Sequence, residues 1–434
     1  MKSPSASRPA RLARRSALAA SAAAAAAAPG VAAAQNDLFR VTAEATSGAP
    51  LSAEASGSDV LDLLEDAISA NQRFAAFGGR DAEVVLDYAG VAGAARVDVS
   101  GDGRSATLTL APTGFTRTFT ASDRDGLEDE IEDFLKGEGD EGGASVYAEF
   151  LAALREQILV SVVDGNPNAA TAVFGGQSFR RHAIPGPEAY GGPRALTFDL
   201  DEDRVAFVRY EGTAGLYDAG DFEGTRYTGQ LHGGVDLTER IGLSGAYTLG
   251  YQKVEDADLF QAGFEVGVPI TLVGVAPAHG GERGVSVRLI PVVQVGGAGS
   301  IDTADGGAFF GYGGNAAAAW RVGDFTFSGG VGLVAYDGFD ATIDDFEFET
   351  DLSQGVFSAG GEVLWRVGNA FSLDAGASYH RFLDDAAVED WWSPTAGVAW
   401  TASWSTLRAG YEADLAEAED FNGHRLQLSW TVSF

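Results

Sequence analysis

Cysteine is absent, which excludes disulfides and thiolate metal sites. Basic residues are scarce: 29 Lys and Arg stand against 62 Asp and Glu, giving a formal charge of −33. Nucleic acid is therefore not an expected partner, because phosphate backbones are held by basic patches. Also missing, outside the N-terminal segment, is any apolar run near 18 residues, so no membrane-spanning helix is expected. No cofactor motif is present, and none is called for. What the chain does have is 58 glycines, 10% aromatics and long stretches of alternation. That is the composition of a β-barrel rather than of a helical enzyme.

The first 34 residues read as a secretory signal peptide. Lys2, Arg8, Arg11, Arg14 and Arg15 form a basic region, an alanine-rich run covers 17–28, and Ala32-Ala33-Ala34 offers a cleavage site. Its removal would take the formal charge to −38, since the segment holds five basic residues and no acid. Residues 35–57 are small and polar, a flexible lead-in. Residues 58–164 read as a small α+β domain. Apolar residues recur at helical spacing over 58–76, about 123–136 and 145–163, and strand-like runs cover 82–88, 95–100, 105–111 and 115–120. Ser100-Gly101-Asp102-Gly103 marks a turn. Residues 165–203 follow as a Pro/Gly-rich linker without periodicity, its 165–193 portion able to span on the order of 90 Å when extended.

From residue 204 to 434 the period becomes two. Twelve runs alternate a large apolar face with a small or polar one: about 204–216, 225–237, 240–251, 259–272, 284–296, 308–321, 324–336, 354–366, 370–382, 393–404, 406–415 and 422–434. Each is long enough for a tilted strand to cross a hydrocarbon layer. The connections 237–240, 321–324, 366–369 and 404–406 are tight. Those at 217–223, 252–258, 297–307, 337–351, 383–390 and 416–420 are longer and nearly all acidic. That parity predicts short turns on one side of a membrane and loops on the other, with the stretch 273–284 as the exception. Trp365, Trp391, Trp392, Trp404 and Phe434 are expected at the membrane interfaces.

In the last run, Leu426, Leu428, Trp430, Val432 and Phe434 share one face. This segment resembles the C-terminal signature of Gram-negative outer-membrane barrel proteins. The resemblance implies insertion by the barrel-insertion machinery, lipid contact, and an outer-membrane location. Twelve strands behind a secreted segment also look like the autotransporter translocator layout, over about 230 residues and by layout rather than by motif. The fold expected is thus an all-β transmembrane antiparallel barrel of about twelve strands, preceded by a small α+β domain.

Inward positions of such a barrel include Asp236, Glu265, Glu362, Asp374, Glu412 and Asp414 against Arg288, Arg408 and Arg425. A polar lumen is the simplest account of them. Ser378 and His380 near Asp374 suggest a hydrolase, but residues two apart on a strand stand about 7 Å from each other, too far to bond. The acids of 337–351 and of 128–133 read as a solvated loop and the water-facing side of a helix. No enzyme is expected. The layout anchors or translocates a short N-terminal domain, periplasmic or at the cell surface. The alternatives are a passive channel or structural barrel with a periplasmic module and, last, an outer-membrane hydrolase.

Overall fold

Turn-forming sequence and alternation together dictate the N-terminal sheet. In the computed structural model, Ser100-Gly101-Asp102-Gly103 closes a hairpin, with Gly103 at φ +66° and the Ser100 hydroxyl bonded to Asp102 at 2.7 Å. The structure describes residues 37–58, 77–135, 143–184 and 206–433, apart from 239, 274–283, 304, 340, 344–345, 349, 369, 403–404 and 417–419. The signal segment, residues 59–76 of the helix expected over 58–76, Trp404 and Phe434 lie outside the described residues.

Six antiparallel strands form the first sheet: β1 (Phe39–Ala45), β2 (Ser52–Gly57), β3 (Ala82–Tyr88), β4 (Val91–Val99), β5 (Ser105–Leu110) and β6 (Phe115–Thr120), in the order β2-β1-β3-β4-β5-β6. β1 and β2 occupy the stretch expected as a flexible lead-in. Phe39, Val41 and Ala43 alternate inward there, which fixes the segment as a strand. Helices α1 (Arg124–Leu135) and α2 (Gly143–Arg155) cover one face. Phe134 meets Phe115 and Phe119, and Phe150 meets Tyr88. α2 is shorter than the helix expected over 145–163. After Arg155 the chain turns and runs irregularly to residue 169, buried almost throughout.

Twelve antiparallel strands close the second sheet on itself: β7 (Ala206–Ala219), β8 (Phe222–Asp236), β9 (Gly242–Val254), β10 (Ala257–Gly267), β12 (Gly284–Ser300), β13 (Asp305–Val322), β14 (Phe325–Phe339), β17 (Ser353–Val367), β18 (Phe371–Phe382), β19 (Asp390–Thr401), β20 (Ser405–Ala416) and β21 (Phe421–Ser433). β21 pairs with β7, and β10 pairs with β12, so no long edge is left open. The twelve strands match the twelve expected runs. The run 259–272 is a strand broken at Pro269, which cannot donate to the ladder; β11 (Ile270–Val273) resumes it. The loop β14–β17 carries a short hairpin, β15 (Ala341–Ile343) with β16 (Phe346–Phe348).

One end of the barrel carries the connections after β7, β9, β12, β14, β18 and β20; it is called the loop end below. The opposite end holds the start of β7 and the end of β21. Loop lengths contrast less than expected: Gly220-Asp221 and Glu255-Asp256 are two-residue hairpins, because β7 to β10 run on through the expected loops. Large apolar side chains face outward all round the barrel. Among the described residues every exposed large apolar side chain lies between residues 210 and 430, and the α+β module has none. A water-soluble surface rarely exposes such a band. Aromatics rim it at both levels: Tyr210, Trp320, Trp365, Trp400 and Trp430 near the opposite end, Tyr227, Tyr251, Phe310 and Trp392 toward the loop end.

Candidate functional site, a lumen filled by one helix

The expected linker is not a free tether over its first part. Helix α3 (Ala170–Ala183) lies inside the barrel, with ten of its residues buried. At 14 residues it is about 21 Å long, most of the apolar height of a barrel. Gly175-Gly176 in its middle hid it from a reading by helix propensity. Its start is tied at the loop end by a dense knot. Ala170 and Thr171 donate backbone N–H to the carbonyls of Val162 and Val163 at 2.9 and 3.1 Å. The Asn166 side chain donates to the Ser161 carbonyl (2.7 Å) and accepts from the N–H groups of Asn168 and Ala169. Groups that a helix N-terminus would leave unmatched are thereby satisfied.

Half of the wall is built to receive this helix. On β10 and β12, Cβ atoms placed at Gly263 and Gly296 would each stand 2.7 Å from the Phe174 ring, so the two glycines form its slot. Gly175 in turn lies against Val356 and the Tyr336 hydroxyl, where a Cβ would come within 3.1 Å of the valine. Phe179 rests beside Gly332, and Ala183 beside Gly330. Inward apolar side chains Ile290, Val292, Val334 and Phe309 complete this face. A lumen is not purely polar here because its occupant is half apolar.

The other half, on β7, β8 and β18 to β21, is charged, and Glu265 on β10 and Arg288 on β12 add to it. Arg180 pairs with Glu412, and Arg181 and His182 reach Glu265 at 3.0 and 3.1 Å. Cations in the last helical turn also meet the negative end of the helix dipole. Of the expected inward residues, Arg425 bonds Glu412 (2.6 Å) and Asp414 (2.5 Å), Arg408 bonds Asp374 (2.5 Å), and Arg288 donates to the His182 carbonyl at 3.4 Å. Glu362 is buried beside them, and Asp236 lies half-buried near the opposite end. Arg209, Glu211 and Arg226 belong to the same lining and are additional to the inward residues expected from the sequence. Between helix and charged wall a cavity of about 60 Å3 remains, room for about two waters.

Ser378 and His380 do bond, contrary to the 7 Å expectation. The imidazole leans along the strand, so Ser378 Oγ lies 2.8 Å from Nε2 and Ser358 Oγ 2.8 Å from Nδ1. Both partners of the ring are hydroxyls, and Asp374 is committed to Arg408. His380 stacks on Trp391 (centroids 5.1 Å apart) and meets the Phe179 edge. The cluster is wall, packed under α3. Trp391, expected at the interface, therefore points inward and is buried. On the final strand Leu426, Leu428 and Trp430 are exposed outward, and Val432 is half-buried.

No family model and no curated protein matches this chain. Among solved structures, the barrel is similar to the translocator domain of autotransporter NalP from Neisseria meningitidis (14% identity, 63% of this chain and 100% of that one, TM-score 0.42). It is likewise similar to the transport unit of autotransporter AIDA-I from Escherichia coli (13%, 55% and 93%, TM-score 0.37) and to the NanC porin (12%, 51% and 98%, TM-score 0.32). These likenesses concern fold alone. With closure, an apolar outer band and two aromatic rims already in place, the class is settled. This is a twelve-stranded barrel of the outer-membrane type.

Two substitutions probe the seal of this outer-membrane barrel. Gly296→Val supplies a good strand former but fills the Phe174 slot. Loss of that ring's burial is worth roughly 2 kcal/mol. Trypsin cleavage at Arg180 and Arg181 is expected to accelerate, with the barrel still heat-modifiable on gels; unchanged cleavage would show that the slot is not needed. Asp164, in the knot outside the membrane-spanning strands, has its carboxyl pushed up chiefly by burial, although Gly165 N–H and the Thr171 hydroxyl (3.0 Å) favour its charge. A raised folded pKa means that its contribution to stability is fully present below the ordinary carboxylate range and is lost as pH rises through the folded value. Asp164→Asn is therefore expected to raise the melting temperature at pH 7 and to leave it unchanged near pH 3.

Proposed function

We propose that the chain is a surface-display unit of autotransporter-like layout, with the α+β module held over the loop end at the cell surface. One observation carries the reading: the path of the chain. From the module at the loop end it enters the lumen at the Asn166 knot and descends as α3 toward the opposite end, the end at which β7 begins. Module and barrel meet across Tyr88 (hydroxyl to the Thr303 carbonyl, 2.6 Å), the Arg155–Asp305 pair and Leu159 beside Gly220. A channel with a periplasmic module would need the module at the other end and a clear lumen. The buried knot further supports a module that stays attached, because a protease must reach extended chain and 158–169 is enclosed.

Protease treatment of intact cells tests this. The module is expected to be degraded or surface-labelled without membrane lysis, while fragments containing α3 stay with the barrel. Complete protection of the module in intact cells, followed by digestion after lysis, would sink the reading.

A further inference from the structure

We propose that the outer wall carries a binding groove for one phospholipid acyl chain, floored by Gly212 and Gly229. The site uses only the barrel's membrane-facing surface and stands apart from the display reading.

The two glycines are directly paired between β7 and β8 and both face outward. A Cβ built on either would meet nothing within 4 Å, unlike the glycines that receive α3. The wall is therefore missing two side chains side by side, and the gap opens a groove of about 460 Å3. Leu428 pairs with Gly212 on one side and Leu249 with Gly229 on the other, so aliphatic walls flank the floor. Two residues toward the opposite end stand Trp430 and Tyr210, stacked with centroids 6.1 Å apart. Two residues toward the loop end Ala214 keeps the floor low on β7, opposite Tyr227.

Depth and shape decide the occupant. The groove lies between the two aromatic rims, at the level of hydrocarbon, where water cannot fill an apolar hollow and an empty one forfeits contacts. It is one glycine pair wide between projecting leucines. A flexible chain of methylenes can reach such a floor and make the dispersion contacts that an unfilled hollow forfeits. The rigid, convex wall of a second barrel would rest on the leucine rims and leave the floor bare. The groove is also continuous with the outward apolar band around it, the surface that a bilayer would cover.

The test compares the full chain with Gly212→Phe/Gly229→Leu, which refills the floor, and with Ala375→Phe, which adds the same bulk outward on β18. Each is purified in detergent, delipidated, titrated with dipalmitoyl phosphatidylethanolamine, and examined by native mass spectrometry. The wild type and Ala375→Phe are expected to hold one lipid per barrel at limiting lipid, and the double variant to lose that adduct at least on the order of tenfold. Equal retention by all three overturns the proposal, as does a wild-type dimer abolished by the double variant. If the double variant does not become heat-modifiable, Gly229→Leu alone provides the same comparison.

Discussion

A chain lacking residues 37–184 is expected to form an open channel where the full chain is nearly closed. The reason is geometric. α3 with its side chains occupies a cylinder on the order of 10 Å across, and the cavity between it and the charged wall is about 60 Å3. Taking it out exposes the glycine slots on β10 and β12 to water and opens the whole charged half. Single-channel conductance in planar bilayers should rise on the order of tenfold or more. The sign of the selectivity also follows. Removal takes Arg180 and Arg181 out of the lumen, while Glu211, Asp236, Glu265, Glu362, Asp374, Glu412 and Asp414 stay on the wall against Arg209, Arg226, Arg288, Arg408 and Arg425. Cations should be favoured, modestly. Equal conductance with and without the segment would mean that the barrel is closed by something other than α3, and the seal would lose its physical basis.

A gentler form of the same experiment separates packing from charge. Arg180→Gln with Arg181→Gln leaves α3 in place but takes one cation from Glu412, which keeps Arg425, and one from Glu265, which keeps His182, both carboxylates being nearly inaccessible. Removing one partner of a buried pair costs far more than a neutral replacement of both. Intermittent opening of the double variant is the expected trace, against steady closure of the full chain.

The barrel was legible because its signal is long and repeated. Alternation over twelve runs leaves little freedom, and strand ends moved by only a few residues toward the loop end. The lumen was half legible. Glu265, Asp374, Arg408, Glu412, Asp414 and Arg425 fall on inward positions by parity alone, so their direction needed no structure. The helix among them was not read, because Gly175-Gly176 depresses helix propensity and the neighbouring Asn166-Pro167-Asn168 resembles a turn in open chain. A signal did exist. Alternation fails where Ile290 and Val292 sit inward between outward Leu289 and Val293, and again at Phe309-Phe310 and Trp391-Trp392. Apolar side chains on both faces of a barrel strand require something apolar on the inside. Likewise β1 and β2 were passed over because they are short and rich in Ala and Ser, and only the pairing of β1 with β3 and of β2 with β1 turns them into sheet.

Asp305→Ala is expected to release the module from the loop end while leaving the barrel folded. Asp305 opens β13 and accepts three donors from the segment above it: Arg155 Nη2 at 3.0 Å, Ser161 Oγ at 3.1 Å and Val162 N–H at 3.3 Å. Both members of the ion pair are buried, so salt should screen it little. Deleting the carboxylate strands the Arg155 guanidinium in a space water cannot enter, a loss of about 3–5 kcal/mol. The reverse change is milder. Arg155→Met removes the charge yet fills the volume, and Asp305 keeps Ser161 and Val162 as donors. The double variant Arg155→Met/Asp305→Ala carries no stranded charge and should regain most of the loss. Hydrogen exchange over 156–169 and tryptic cleavage of the module report release, and heat-modifiability reports the barrel. Asp305→Ala should open the segment, Arg155→Met should do so weakly, and the pair should fall between them. If Asp305→Ala left 156–169 protected, the carboxylate would not be what fastens the module, and the apolar contacts of Leu159 and Tyr88 would have to hold it alone.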